Sequence, residues 1–304
     1  MKSDVQGEMI SEDRTNLLNF SPINARKLLQ KHKIRPNRRL GQNFLVDPKA
    51  LSSVVTAAEL TGNETVLEIG AGLGALTCRL AQAARQVVTV EVDQRFIPLL
   101  EEVISHYQNV RLVYGDILEL NLTTIVEDGE YTVIANIPYS ITSALIRRLM
   151  EAEKPAERIV LTVQREVAER IIAKPGSLNL LAVSVQIYGE PRIVVRIPAK
   201  AFYPKPKVDS AVLRVDVHCE PIVDQVLLPT LFHLARAGFG QKRKQLRNAL
   251  AGGLRVSPSV VMEWLEKAAI QPMSRAQELG LDAWVLLTQV VMDEGGLAKL
   301  IHDK

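Results

Sequence analysis

At 304 residues with 47% apolar and 23% charged side chains, the chain holds enough apolar material for one large or two modest domains, which excludes disorder as its dominant state. Two cysteines, Cys78 and Cys219, exclude a disulfide framework, and no run of about 20 apolar residues is present to span a membrane. The formal charge of +3, from 37 Lys and Arg against 34 Asp and Glu, excludes neither a polyanion nor a small-molecule partner. The first twenty residues mix Asp4, Glu8, Glu12, Asp13 and Arg14 with isolated apolar residues. They predict a loose tail over 1–20 without a signal-peptide core and, with so few cysteines, a cytoplasmic location. Leu28 and Leu29 open a short basic segment, after which Asp47 and Pro48 read as the cap and first residue of a helix carrying Leu51, Val54, Val55 and Ala58. Thr65–Ile69, 86–92, Val110–Tyr114, 131–135 and Arg158–Gln164 are β-rich runs, and 75–84, 96–105, 143–153 and 165–173 are candidate helices between them. Near-continuous apolar strands alternating with helices predict a parallel sheet covered on both faces, a doubly wound α/β domain. Segments 180–188, 192–197 and 212–218 read as three further strands with no crossover helix, predicting an antiparallel edge. Beyond a boundary near residue 220, segments 225–237, 243–251, 258–268 and Leu281–Asp293 read as the helices of a smaller all-α domain.

The first candidate site is Glu68-Ile-Gly-Ala-Gly-Leu-Gly74, at a strand end before a helix. Its glycines allow a sharp turn and close approach of a ligand to main-chain atoms, and the following helix N-terminus offers free N–H groups. Ala75 occupies the third glycine of a dinucleotide fingerprint, and no Gly-Lys-Ser/Thr is present for a P-loop. The remaining acid-x-G-x-G-x-G resembles the cofactor loop of S-adenosylmethionine-dependent methyltransferases. Glu91 and Asp93 close the second strand, where a carboxylate accepts from a ribose diol, and Asp116 follows the third, placed to accept from an exocyclic adenine amine. Each acid has a simpler role open to it, capping the next helix. Three such strand ends in order predict a ligand crevice at the carboxyl edge of the sheet.

At the fourth strand end, Asn136-Ile137-Pro138-Tyr139 fits the pattern of enzymes that methylate exocyclic amines of bases. An adenine N6 lone pair is delocalised into the ring and is a poor nucleophile. The Asn136 carboxamide oxygen and the Ile137 carbonyl would accept its two hydrogens and aim the lone pair, Tyr139 would stack on the flipped base, and Pro138 would stiffen the turn. In the element Phe202-Tyr-Pro-Lys-Pro-Lys-Val-Asp-Ser210, Phe202 would stack the base from the other side while Lys205 and Lys207 meet phosphates.

With these residues the sequence resembles the ribosomal RNA adenine N6,N6-dimethyltransferase family, in particular its bacterial 16S rRNA dimethyladenosine transferase branch. The likeness runs from about Lys31 to Glu294 and rests further on Arg39-Leu-Gly-Gln-Asn-Phe-Leu45, Gly115-Asp116, Gln164-Arg-Glu-Val-Ala-Glu-Arg170 and Arg243-Lys-Gln-Leu-Arg-Asn248. It implies a Rossmann-like sheet of seven strands with the last antiparallel. It also implies a methyltransferase domain over 21–220 and a helical RNA-binding domain over 221–304. It implies that Asn43, Leu45, Gly70, Glu91, Asp116 and Asn136 contact S-adenosylmethionine, four molecules of which dimethylate two adjacent adenosines in the 3′-terminal hairpin loop of 16S rRNA. The expected partner is that RNA within a 30S precursor, met by Arg38, Arg39, Lys205, Lys207, Arg243, Lys244 and Arg247; a monomer without metal is implied. The chain departs from the family at Ser177-Leu-Asn-Leu-Leu-Ala-Val183, where a basic and an aromatic residue are usual.

Charge segregation accords with an RNA partner. Segment 14–39 holds eight basic residues and no acid, 47–130 thirteen acids against five bases, 131–214 thirteen bases against seven acids, and 225–262 six bases and no acid. Solvated surface would account for it equally, so charge alone does not decide. Two other functions share parts of the pattern. A large-subunit (23S) rRNA adenine methyltransferase of the antibiotic-resistance type has the same cofactor and Asn-x-Pro-Tyr motifs, although 243–248 and the helices after it favour the small-subunit enzyme. A non-catalytic RNA-binding assembly factor on this fold would need none of Glu91, Asp116 and Asn136, all of which are present.

Overall fold

The computed structural model describes residues 22–37, 40–126, 129–138 and 141–295, so the tail expected over 1–20, Arg38, Arg39 and Tyr139 lie outside the described residues. The elements in chain order are α1 (Pro22–Lys31), β1 (Phe44–Leu45), α2 (Pro48–Ala58), β2 (Thr65–Ile69), α3 (Ala75–Ala83), β3 (Gln86–Glu91), α4 (Ile97–Ile104), β4 (Val110–Tyr114), α5 (Leu122–Val126), β5 (Tyr131–Asn136), α6 (Thr142–Met150), β6 (Arg158–Gln164) and α7 (Arg165–Ile171). They continue as α8 (Leu180–Gln186), β7 (Gly189–Ile197), β8 (Phe202–Tyr203), β9 (Ser210–Val217), α9 (Leu228–Phe239), α10 (Leu246–Leu254), α11 (Pro258–Lys267) and α12 (Leu281–Asp293).

Seven strands form one sheet in the order β4-β3-β2-β5-β6-β9-β7, and β1 pairs antiparallel with β8 in a separate ribbon. β2 lies between β3 and β5, parallel to both, so the strand order reverses there and opens a crevice at the carboxyl ends. Every residue of β2 is buried, as a near-continuous apolar run with helices on both faces requires, whereas β4 at the sheet edge is half-buried or exposed. β9 runs antiparallel to β6, which matches the seven-stranded Rossmann-like methyltransferase sheet expected from the sequence. Asp47 caps α2 by accepting from the Ala50 N–H at 2.8 Å, with Pro48 in the first turn. Arg214 of β9, almost fully buried, ties the sheet to the end of α2 by binding Asp216, Glu59 and the Ala57 carbonyl.

One expectation is corrected. Segment 180–188 forms a helix, α8, not a strand. Asn179 caps it by accepting from the Ala182 N–H, and Ala182, Val183 and Val185 are buried. A short, mostly apolar run, broken here only by Ser184 and Gln186, does not by its period separate strand from helix, and the cap decides. The departure noted at 177–183 therefore covers the cap and first turn of α8.

The chain divides into two compact units, one of residues up to Ala168 with Arg192–Val217, the other of Glu169–Pro191 with the chain from His218 onward. Within the second, α9 packs on α10 and α12 around buried Trp264 and Trp284. A Cβ at Gly238 would stand 2.6 Å from the Trp284 ring, so close packing there excludes any side chain.

Candidate active site

The carboxyl ends of β2, β3, β4 and β5 and the segment before α2 enclose a cavity of about 330 Å³. Its walls come from 40–45, the glycine turn 69–76, Val90 to Val92, Gly115 to Ile117, and Asn136 to Pro138 with Ile141. All six residues expected to hold the cofactor, Asn43, Leu45, Gly70, Glu91, Asp116 and Asn136, line this one space.

The glycine turn owes its shape to positive φ angles, +81° at Gly70, +55° at Gly72 and +77° at Gly74. At Gly72 a Cβ would lie 2.9 Å from Cδ1 of Phe44, so the turn is also the floor on which that ring packs. Beneath it Glu68, 1% exposed, accepts from the Thr77 and Thr89 hydroxyls at 2.6 and 2.7 Å, both on Oε2. Its Oε1 has no hydrogen-bond partner among the described residues, and burial pushes the carboxyl up to about 7.

The buried Glu91 accepts from the Gly72 N–H at 2.8 Å on one oxygen and the Asp93 N–H at 2.9 Å on the other. Burial raises its pKa, against those two bonds. Each oxygen retains a second lone pair to offer a ligand hydroxyl. Asp116 accepts from the Leu118 N–H at 2.9 Å on Oδ1, so it closes a local turn and lines the cavity at once. Asp93 separates from Glu91 in role. It is outside the cavity wall, where it caps the short turn Gln94–Phe96 and binds Arg95 through both oxygens and Gln42 through Oδ2. Arg95, with Gln42 adding to it, holds its carboxyl below the usual range.

Asn136, the last residue of β5, donates Nδ2 to the Asn43 carbonyl at 3.1 Å, which leaves Oδ1 as the acceptor end of the carboxamide. Ile137 and Pro138 line the same wall. Phe202 is not brought there. It is 3% exposed, pairs with Leu45 across the β1–β8 ribbon and belongs to the hydrophobic core, against which the half-buried Tyr203 also packs. Lys205 and Lys207 are exposed in the loop after β8; in the helical unit Arg243 and Lys244 are exposed and Arg247 half-buried. Sequence reasoning gave no role to Gln42, Ile117 or Ile141, which line the cavity; Gln42, inside the 39–45 marker, is bound to Asp93 across 51 residues, and Ile117 directly follows Asp116.

Among the described residues, Glu91 and Asp116 are the only ionisable groups on the cavity wall, which carries no Lys, Arg or His. Two acids among apolar side chains and main-chain amides suit a cationic ligand with hydroxyl and amine donors, and no strong general base is at hand. S-adenosylmethionine, a sulfonium nucleoside with a ribose diol and an adenine amine, has that chemistry. Glu91, Asp116 and the 40–45 segment would hold it.

Residues 33–291 match the family described as ribosomal RNA adenine dimethylase. The chain is 42% identical over 261 residues to a ribosomal RNA small subunit methyltransferase A of Dehalococcoides mccartyi, covering 86% of this chain and 90% of that one. Among solved structures it resembles a dimethyladenosine transferase from Plasmodium falciparum, with 25% identity, a TM-score of 0.71 and coverage of 82% and 97%. It also resembles the 23S rRNA methyltransferase ErmE, with 27% identity, a TM-score of 0.65 and coverage of 82% and 99%. Family match, fold and a cavity whose lining suits S-adenosylmethionine agree: this chain belongs to the ribosomal RNA adenine dimethylase family and is an S-adenosylmethionine-dependent rRNA adenine dimethyltransferase.

Proposed function

We propose that the protein dimethylates two adjacent adenosines in the 3′-terminal hairpin loop of 16S rRNA, acting as a cytoplasmic monomer on a 30S precursor. The observation that carries this reading is the carboxamide of Asn136, fixed with its oxygen as the acceptor on the wall of the cofactor cavity. The small-subunit target is supported by relatives named for that subunit at 36–42% identity, which exceeds the 27% shared with the large-subunit enzyme.

Bound S-adenosylmethionine supplies an electrophilic methyl group on a sulfonium. The protein's part is alignment and desolvation. In the first transfer Asn136 Oδ1 and the Ile137 carbonyl accept the two N6 hydrogens of the target adenine, which turns the nitrogen lone pair away from the ring; in the second, one of these acceptors takes the single hydrogen left on the methylated amine. Glu91 accepts from the ribose hydroxyls and Asp116 from the cofactor's adenine amine. Pro138 stiffens the strand end, and Tyr139 provides a face for the extruded base. Lys205, Lys207, Arg243, Lys244 and Arg247, with Arg38 and Arg39, meet phosphates. The amine proton leaves to water after transfer, since among the described residues the cavity wall carries no strong base.

The test uses cofactor labelled in its methyl group, offered with undermethylated 30S particles and, separately, with naked large-subunit rRNA. Label in dimethyladenosine of the small-subunit RNA alone is the expected result; label confined to large-subunit RNA, or on neither, overturns the reading. In the same assay Asn136→Ala lowers transfer about a hundredfold, while cofactor affinity, measured by titration calorimetry, falls by less than about tenfold. Unchanged transfer would remove Asn136 from the reaction.

A further inference from the structure

The segment 40–46 forms one wall of the cavity and is fastened to the sheet at separate points. Gln42 Nε2 donates to Asp93 Oδ2 at 2.8 Å, and Gln42 Oε1 accepts from the Asn37 N–H at 2.7 Å. Asp93 is itself held by Arg95, whose Nη1 reaches back to the Arg35 carbonyl, and its N–H binds the Glu91 carboxylate. One residue along from Gln42, the Asn43 carbonyl receives the Asn136 Nδ2, and Phe44 then rests on Gly72 and Phe96. The Gln42–Asp93 bond thus lies on a path from the carboxylate expected to hold the ribose, through the Asp93 N–H, to the segment whose carbonyl receives the Asn136 amide.

That carbonyl matters because a carboxamide has two ends of nearly equal shape and opposite hydrogen-bonding sense. With Nδ2 on the Asn43 carbonyl, Asn136 offers an oxygen to an amine. Rotated by half a turn it would set oxygen against oxygen at Asn43 and offer an N–H₂ to an N–H₂, which holds the nucleophile in no useful orientation.

We infer that Gln42 and Asp93 are positioning residues of the methyl transfer: their hydrogen bond clamps the 40–45 segment so that the Asn43 carbonyl fixes the polarity of the Asn136 carboxamide. Neither residue donates to or accepts from the adenine in this scheme. Asp93 does not line the cavity at all. The inference rests on the role proposed above for Asn136, and its test separates the two.

Gln42→Glu places a carboxylate against the Asp93 carboxylate, and Gln42→Met removes the donor without adding charge; Asp93 itself is left in place because both its oxygens also accept from Arg95. Three quantities are measured on the full chain: dissociation of S-adenosylhomocysteine, amide hydrogen exchange over 40–46, and single-turnover methylation of undermethylated 30S particles at saturating cofactor. In Q42E the exchange of 43–46 accelerates at least tenfold, and S-adenosylhomocysteine binds at least fivefold more weakly. Transfer at saturation falls at least tenfold. Gln42→Met, which keeps bulk without charge, gives the same direction of change should Q42E fold poorly. Unchanged exchange in Q42E and Q42M overturns the clamp. Faster exchange with undiminished transfer overturns its link to Asn136. Full transfer by N136A would instead overturn the role of Asn136 itself, and exchange would still report on the clamp.

Discussion

Replacing Glu68 by Gln isolates what a buried carboxyl costs this sheet. The group is 1% exposed, and burial pushes its pKa from 4.5 to about 7, with the Thr77 and Thr89 hydroxyls opposing and the Glu91 charge adding to the rise. The folded state therefore holds the proton more tightly than the unfolded chain. Its contribution to stability is complete below pH 4.5 and is lost as pH rises through about 7. The difference between 4.5 and about 7 corresponds to about 3 kcal/mol in the limit of high pH. Glutamine keeps an acceptor for both hydroxyls and puts its N–H₂ where Oε1 already lacks a partner among the described residues, so the two side chains differ chiefly in whether they ionise. Urea unfolding of both proteins at pH 5 and pH 9 measures the difference. E68Q gains about 2 to 3 kcal/mol relative to the parent between those pH values, and the two are close at pH 5. Parallel stability curves across that range would refute the claim that Glu68 is buried as a titrating group.

Gly72→Ala forces a Cβ onto a backbone at φ +55°, which costs about 1–2 kcal/mol, and to within 2.9 Å of Phe44. Cofactor affinity, measured by calorimetry, falls about tenfold or more as the wall yields; unaltered affinity would show that Phe44 does not pack on the turn as described. Lys205→Ala with Lys207→Ala weakens binding to the RNA substrate and lowers the slope of log K against log salt by about one for each phosphate no longer neutralised. A slope equal to the parent's would exclude both lysines from the RNA surface.

The parts of the site legible in sequence are those whose signal is local. A strand end, a glycine turn and an acid lie within a few residues of one another, and β2 to β5 deliver Gly70, Glu91, Asp116 and Asn136 to one crevice because parallel strands share a carboxyl edge. The β1–β8 ribbon was not legible, since it joins Leu45 to Phe202 with no turn or period to announce it. That pairing also explains why Phe202, read as a stacking face, sits in the core: in a strand pair the identity of the inward residue depends on the partner. The Gln42–Asp93 and Asn43–Asn136 bonds span 51 and 93 residues, and nothing near either end foretells its partner. For α8 the difficulty is the reverse, an apolar run whose local pattern fits two structures and whose Asn179 cap carries the only discriminating chemistry.

Every described residue on the cavity wall lies between Leu40 and Ile141, inside one of the two units. A substitution in the helical unit therefore alters no side chain on that wall. The C-terminal helices are thus free to vary in sequence while every described side chain that faces the cavity stays as it is.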